Sequence, residues 1–405
     1  MKKLMIVGLL IVAMAVPALA SAAVEAAAGN ISLHGHIDYV YRYSQESNDD
    51  DWDESWNGYD TQNLEFAVLG MSGQVGDNVS WVISYAFAFA GPYGATNSET
   101  LTNTNDSAGM LLDARINLNL MDSVQLSFGR FIPPTSMTWC PHKMDSLHTV
   151  NYPLVNGSGV AVSEYGYGML PLPMYQTGMM LTAMMGPAQI MIGGFNGNQF
   201  IGGDDTGEVG LYGMNNTMDI DRNKGILAKV AVSQEGMHFG GWYYAEDASI
   251  NTANYGPVTT NRATIDGKSA RWGIEAAYTA NNLLLAGEYI NSTFDSQDSD
   301  VDDDLQQDGW YILAGYTMSQ VQFLVRYDQV NYDKEEEILV PDGHPNTLAD
   351  PADPADYNEE TATTIGLNYF LNEQTTVGLN YTMRDLEEYE SNTDELALII
   401  ELDLF

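Results

Sequence analysis

A single cysteine in 405 residues leaves the chain without an internal disulfide and without a thiol-built zinc site. Basic residues are also scarce. Fifteen Lys and Arg stand against 55 Asp and Glu, a formal charge of −40, and so acidic a chain has no means of displacing counterions from nucleic-acid phosphates, which excludes DNA and RNA as partners. Beyond the N-terminal segment no apolar run reaches the roughly 18 residues a membrane-spanning helix needs. Nor is a 3.6-residue period sustained anywhere after that segment. Any membrane role must therefore come from strands.

The N-terminal segment reads as a targeting signal. Lys2 and Lys3 precede an apolar stretch over residues 4–16, Pro17 interrupts it, and Ala18-Leu19-Ala20 or Ala20-Ser21-Ala22 offers small residues for cleavage. The expected organisation is a signal peptide over 1–22 followed by one domain over 23–405. Without Lys2 and Lys3 the remainder keeps 13 of the 15 basic residues.

From Asn30 onward the hydrophobic period is two. Ile31, Leu33, Ile37, Tyr39, Tyr41 and Tyr43 alternate with Ser32, His34, His36, Asp38, Val40 and Arg42, the pattern of a strand with one apolar and one largely polar face. Val79 to Phe89 repeats it, and so does the segment with Leu112, Ala114, Ile116, Leu118 and Leu120 on one side and Asp113, Arg115, Asn117 and Asn119 on the other. Sixteen such segments begin near residues 30, 62, 79, 110, 124, 174, 188, 222, 237, 269, 282, 308, 321, 361, 375 and 394. Their connections alternate between short and long. In hydrocarbon every backbone amide needs an internal partner, so strands span only as a sheet without edges. The expected fold is an all-β, 16-stranded antiparallel transmembrane β-barrel with long extracellular loops, short periplasmic turns and both chain ends on the periplasmic side. Tyrosines and tryptophans on the apolar face suit the two lipid interfaces. At sixteen strands the bore is too wide for side chains to fill, leaving an aqueous channel.

Several local sequences add a family resemblance: Gly129-Arg130-Phe131-Ile132-Pro133-Pro134, Gln176-Thr177-Gly178, Phe195-Asn196-Gly197, Gly287-Glu288-Tyr289, Arg326-Tyr327-Asp328 and Gly366-Leu367-Asn368-Tyr369. Together they resemble the outer-membrane porins typified by phosphate-selective porins O and P. The resemblance implies sixteen strands with a pore loop after the fifth, passive diffusion of small solutes and assembly as a trimer. Phosphate selectivity is not carried over, because anion-selective members line the pore with many Arg and Lys. Such barrels usually end on an outward aromatic. Phe405 is terminal here but falls on the parity opposite Leu396, Leu398, Ile400, Leu402 and Leu404.

The charges are unevenly placed. Acidic runs fall in expected outer loops, at Asp49 to Glu54, Asp295 to Asp304 and Asp333 to Glu337, and would give the mouth a negative potential. They can equally be solvated surface, or hold divalent cations that bridge lipopolysaccharide. On lumen parity lie Arg42, Arg115, Lys229, Arg271, Arg326 and Arg384, with Asp38, Glu65, Asp113, Glu275, Glu288, Asp328, Glu401 and Asp403. Opposed rows of this kind either set a transverse field across a pore or form salt bridges along the wall; the wall reading suits Arg326 with Asp328 and Arg115 with Asp113. The long, weakly charged loop over 132–173 is expected to fold into the bore as the constriction, with Trp139, His142, Lys143, Asp145 and His148 at its eyelet.

Other chemistry finds little support. Cys140, His142 and His148 lack further metal ligands and a haem-attachment motif; His34 and His36 read as polar lining; no Ser or Asp nucleophile sits beside a positioned His. No enzyme activity, metal or cofactor is expected. The expected function is a porin of the bacterial outer membrane, a passive channel for small hydrophilic solutes whose acidic mouth favours cations or neutral molecules. Its partners would be outer-membrane lipid, lipopolysaccharide and the barrel assembly machinery. The alternative is a barrel scaffold sheathing a multihaem cytochrome.

Overall fold

The computed structural model describes residues 31–48, 59–89, 110–138, 148–156, 175–196, 224–251, 264–296, 304–332, 359–386 and 391–404. They hold sixteen strands: β1 (Ile31–Asn48), β2 (Tyr59–Val75), β3 (Val79–Phe89), β4 (Met110–Met121), β5 (Val124–Phe131), β6 (Gln176–Met185), β7 (Ala188–Phe195), β8 (Gly225–Gln234), β9 (Met237–Asn251), β10 (Thr264–Ala280), β11 (Leu283–Ser296), β12 (Asp304–Met318), β13 (Val321–Tyr332), β14 (Glu359–Asn372), β15 (Thr375–Leu386) and β16 (Ser391–Leu404). Every neighbour in sequence is an antiparallel neighbour in space. β1 pairs with β2 on one side and with β16 on the other, which closes the barrel. With strands about 4.8 Å apart and tilted, sixteen of them enclose a cylinder on the order of 30 Å across.

The period of two decides what faces where. Leu33, Phe87, Ile192, Phe239, Ile312 and Val325 are exposed on the outside. A continuous apolar belt of this kind is incompatible with water and suited to lipid. Rings bound the belt. Tyr278, Tyr316 and Tyr369 stand beside the short turns, while toward the opposite end Trp272 packs on Tyr289 and Trp310 on Tyr327, each pair with centroids 5.4 Å apart. From Trp272 to Tyr278 is roughly 20 Å of strand, comparable to the apolar band of an outer-membrane barrel.

The short turns show why they stay short. Asn281 and Asn282 have φ of 50° and 67°, and Glu235 and Gly236 of 49° and 81°. Paired positive φ values match the right-handed twist of the flanking strands, and Asn and Gly tolerate them best. On the other side several strands outrun the apolar alternation: β9 continues to Asn251 and β12 starts at Asp304. Backbone pairing needs no apolar face once the chain has left lipid, so periodicity ends before the strand does.

The register shifts at five places among the described pairings, and two of them bear on residues read from the sequence. Leu112, expected outside with Ile116, is buried against Val68, Ala86 and Tyr175. The reason is an extra residue in β4: Asp113 pairs with Ser84 and Leu111 with Tyr85, leaving Leu112 unpaired and turned inward. Glu65 occupies the same kind of position in β2, skipped between Phe66 opposite Asp38 and Leu64 opposite Tyr39; its side chain lies outside those described. So do the signal segment 1–22, Phe405 and most of the acidic loop runs.

Candidate functional site: the inner wall and the loop laid on it

The segment between β5 and β6 has described stretches at 132–138 and 148–156, and both lie against side chains that point into the barrel. Leu154 and Val155, in a 3-10 turn (Leu154–Asn156), join Phe131, Trp242, Tyr244, Ile290, Tyr311 and Val330 in an apolar cluster inside the cylinder. A Cβ on Gly309 would come within 2.9 Å of Val155 Cγ1, so the bare backbone of β12 makes room for the turn. Farther round, Val150 packs on Val40, Ala397 and Ile399.

Polar contacts fix the register of the loop. Ser136 Oγ donates to Glu288 Oε2 at 2.6 Å, and Asn156 Nδ2 to Thr138 Oγ1 at 2.7 Å. The Leu154 amide donates to Asp328 Oδ1 at 3.1 Å. The buried Arg326 guanidinium donates to Asp328 at 2.8 Å, to the Asn151 and Tyr152 carbonyls at 2.7 and 3.1 Å, and to Thr149 Oγ1. The Val150 amide donates to Asn380 Oδ1 at 3.0 Å, and Asn368 Nδ2 to the His148 carbonyl at 2.8 Å. Asn151 and Arg42 both reach Glu395 Oε1, at 2.6 and 3.0 Å. A guanidinium taken out of water costs several kcal/mol, and this one is tolerated because a carboxylate and three loop oxygens accept its protons.

Of the residues singled out from sequence, Trp139, His142, Lys143 and Asp145 lie outside the described residues. His148 is at the wall, with φ of 64°. The two pairs assigned to the wall are there: Arg326 with Asp328 at 2.8 Å and Arg115 with Asp113 at 3.5 Å. Lys229 meets Glu275 at 2.6 Å, Arg271 meets Glu246 at 3.3 Å, and Arg384 meets Glu360 at 3.2 Å. Lys229, Arg271, Glu275, Glu288, Arg326 and Asp328 are buried; Glu288, Arg326 and Asp328 meet the loop, while Lys229, Arg271 and Glu275 meet other wall side chains. Arg115 keeps 34% of its side-chain surface. Glu246, Glu360 and Glu395 belong to the same network but were missed. Parity reveals Glu246, two residues past Tyr244, whereas nothing in the spacing marks Ser136 or Asn151.

At the closure of the barrel, β1 and β16 bring four titratable groups together. His36 Nδ1 is 2.9 Å from Asp403 Oδ1; its Nε2 is 2.9 Å from Asp38 Oδ1 and 4.0 Å from Glu401 Oε2. The ligand atoms of His36, Asp38 and Glu401 all lie within 4.8 Å of one another, and all three residues are buried.

A family model described as Gram-negative porin matches residues 10–389. No curated protein matches by sequence. Among solved structures, OprB of Pseudomonas putida is similar with a TM-score of 0.59 at 12% identity, over 92% of this chain and 94% of that one. OmpT of Vibrio cholerae, an outer membrane protein also solved in a trimer form, gives 0.57 at 10% identity over 94% and 99%. The outer membrane channel DcaP of Acinetobacter baumannii gives 0.56 at 12% over 94% and 98%.

Proposed function

Because this chain belongs to the Gram-negative porin family, a family of outer-membrane channels, we propose that it is a passive pore for small hydrophilic solutes whose constriction is the loop between β5 and β6. The observation that supports this most is the loop itself: both its described stretches are pinned to the inner wall by Arg326, Asp328, Glu288 and Asn380. A segment held there narrows the bore. It also occupies space that a cytochrome threaded through the barrel would need, which argues against the scaffold reading. The surplus of 55 acidic over 15 basic residues supports a preference for cations or neutral solutes over anions, so the likeness to phosphate-selective porins O and P is not extended to substrate. The trimer form of the Vibrio cholerae protein supports a trimeric assembly here.

Planar-bilayer recording tests the proposal. The expected result is stepwise conductance, in multiples of three if trimers insert, with a reversal potential in a KCl gradient that reports K⁺ moving faster than Cl⁻, most strongly at low salt. Absence of conductance from folded protein overturns the channel reading, and anion preference at low salt overturns the selectivity.

A further inference from the structure

We infer that the neutral stretch of inner wall on β3, β4 and β5 is a binding track for uncharged, hydroxyl-rich solutes of the sugar class. The inference rests on the pore reading above and names what that pore carries.

Strand register builds the track. Ser80 of β3 sits opposite Asn117 of β4, and Asn117 sits opposite Ser127 of β5; one step toward the short turn, Asn119 faces Gln125. Along β4 these positions alternate with Ile116 and Leu120, which are exposed on the outside, so the period of two points the polar groups into the barrel. Hydrogen bonds within each row set their orientation. Ser127 Oγ donates to Asn117 Oδ1 at 2.7 Å, Asn117 Nδ2 to Ser80 Oγ at 3.2 Å, and Gln125 Nε2 to Asn119 Oδ1 at 3.0 Å. A side-chain amide has two protons to give and a carbonyl with two lone pairs, so Asn117, Asn119 and Gln125 each keep capacity beyond these bonds. Asn119 is exposed, and Ser80, Asn117 and Gln125 are half-buried, which leaves that capacity turned to the water of the bore.

The track matches solutes without charge. An ion that sheds bulk water needs an opposite charge in its place, and β3, β4 and β5 carry charge only at Asp113, Arg115 and Arg130. Asp113 and Arg115 face each other at 3.5 Å and sum to zero. Arg130 is buried and donates to the Leu111 carbonyl at 2.9 Å. A hydroxyl both donates and accepts, as an amide does, so a sugar exchanges its bonds to water for bonds to the track nearly one for one. The small net gain suits a channel, where a solute must be held firmly enough to enter and loosely enough to leave.

The placement of the track is a separate indication. β4 lies eight strands round the closed barrel from β12, and the loop is pinned on that far side through Glu288, Arg326, Asn368 and Asn380. The charged wall is thus taken up by the loop, and the neutral wall faces the lumen. From Arg115 to Asn119 every inward position of β4 carries a planar polar group, over roughly 13 Å, with the Arg115 guanidinium stacked 5.8 Å above the Phe131 ring. A run of this length touches more than one ring of an oligosaccharide.

The test is a multi-channel planar-bilayer current in KCl, carried by the full-length barrel and titrated with maltotriose. A saturating fall in conductance is expected, with half-block at a concentration roughly 10-fold or more below that of a polyethylene glycol of equal hydrodynamic radius, which has hydroxyls only at its ends. Asn117→Ala and Gln125→Ala should each raise the half-blocking concentration about 2- to 10-fold, the worth of one or two neutral hydrogen bonds; heat-modifiable migration in gels verifies that they fold. Ser233→Ala, at the exposed end of β8 on the charged side, should not move it. An open channel that maltotriose does not block overturns the track and leaves the pore reading standing. Block by the glycol at the same concentration overturns it too, as does equal weakening by Ser233→Ala, whereas absence of current from folded barrel removes both readings. Should the variants not fold, the wild type decides with fully O-methylated maltotriose, which keeps acceptors and loses every donor: a half-blocking concentration roughly 3-fold or more above that of maltotriose supports the track, and an equal one overturns it.

Discussion

The inner wall has two unlike halves. From β8 round to β1 it carries Lys229, Glu246, Arg271, Glu275, Glu288, Arg326, Asp328, Glu360, Arg384, Glu395 and Arg42 on inward parity, and every polar anchor of the loop's described stretches named above comes from this half. From β3 to β7 the wall is nearly neutral: Ser80, Ser84, Asn117, Ser127, Met180, Met191 and Phe195, with charge at Asp113, Arg115 and Arg130. The difference teaches that inward charge in this barrel does two jobs. Where the loop lies on it, it is buried, paired and structural. Where the wall is otherwise neutral, Arg115, paired with Asp113, keeps a third of its side-chain surface accessible.

Removing the central anchor is the most severe way to break this comparison. Arg326→Ala strands the buried Asp328 carboxylate and takes three donations from the loop, an expected cost of about 3–5 kcal/mol; hydrogen exchange of the Val150 and Leu154 amides should accelerate, and single-channel conductance should rise and become noisy. One substitution made on both halves sharpens it. Ser136→Ala leaves an oxygen of buried Glu288 without its 2.6 Å donor, an expected loss of about 1–3 kcal/mol because a buried acceptor is left unsatisfied. Ser127→Ala removes a 2.7 Å bond to neutral Asn117 and should cost about 0.5–1.5 kcal/mol, with loop exchange unchanged. Denaturant unfolding of the two variants measures both. The smallest effect on stability, within about 1 kcal/mol, is expected for Arg115→Gln, since its pair with Asp113 is partly exposed. Its reversal potential should nevertheless shift further toward cations, and an unchanged value would remove Arg115 from the conducting path.

Much of this was legible in the sequence, for a physical reason. Lipid enforces period two where strands cross it, so sixteen strands and most of the inward charges follow from alternation, while Glu360 and Glu395 lie near strand ends where the apolar alternation has already faded. Partners are another matter. Arg326 with Asp328 is readable because the two share a strand, whereas Arg326 with Tyr152 depends on a loop path that no period encodes. His36 and Asp403 both belonged to the inward set, but their meeting depends on the closure register, which parity permits without specifying. Leu112 shows the opposite limit, since one extra residue in β4 reverses the side on which it falls.

The loop also reaches both flanks of the closing joint: Asn151 touches Arg42 of β1 and Glu395 of β16, and Val150 touches Asn380 of β15. The part of its berth at Asn151 therefore exists only where β1 and β16 are paired, so the first and last strands are fastened to each other from inside as well as along their edges.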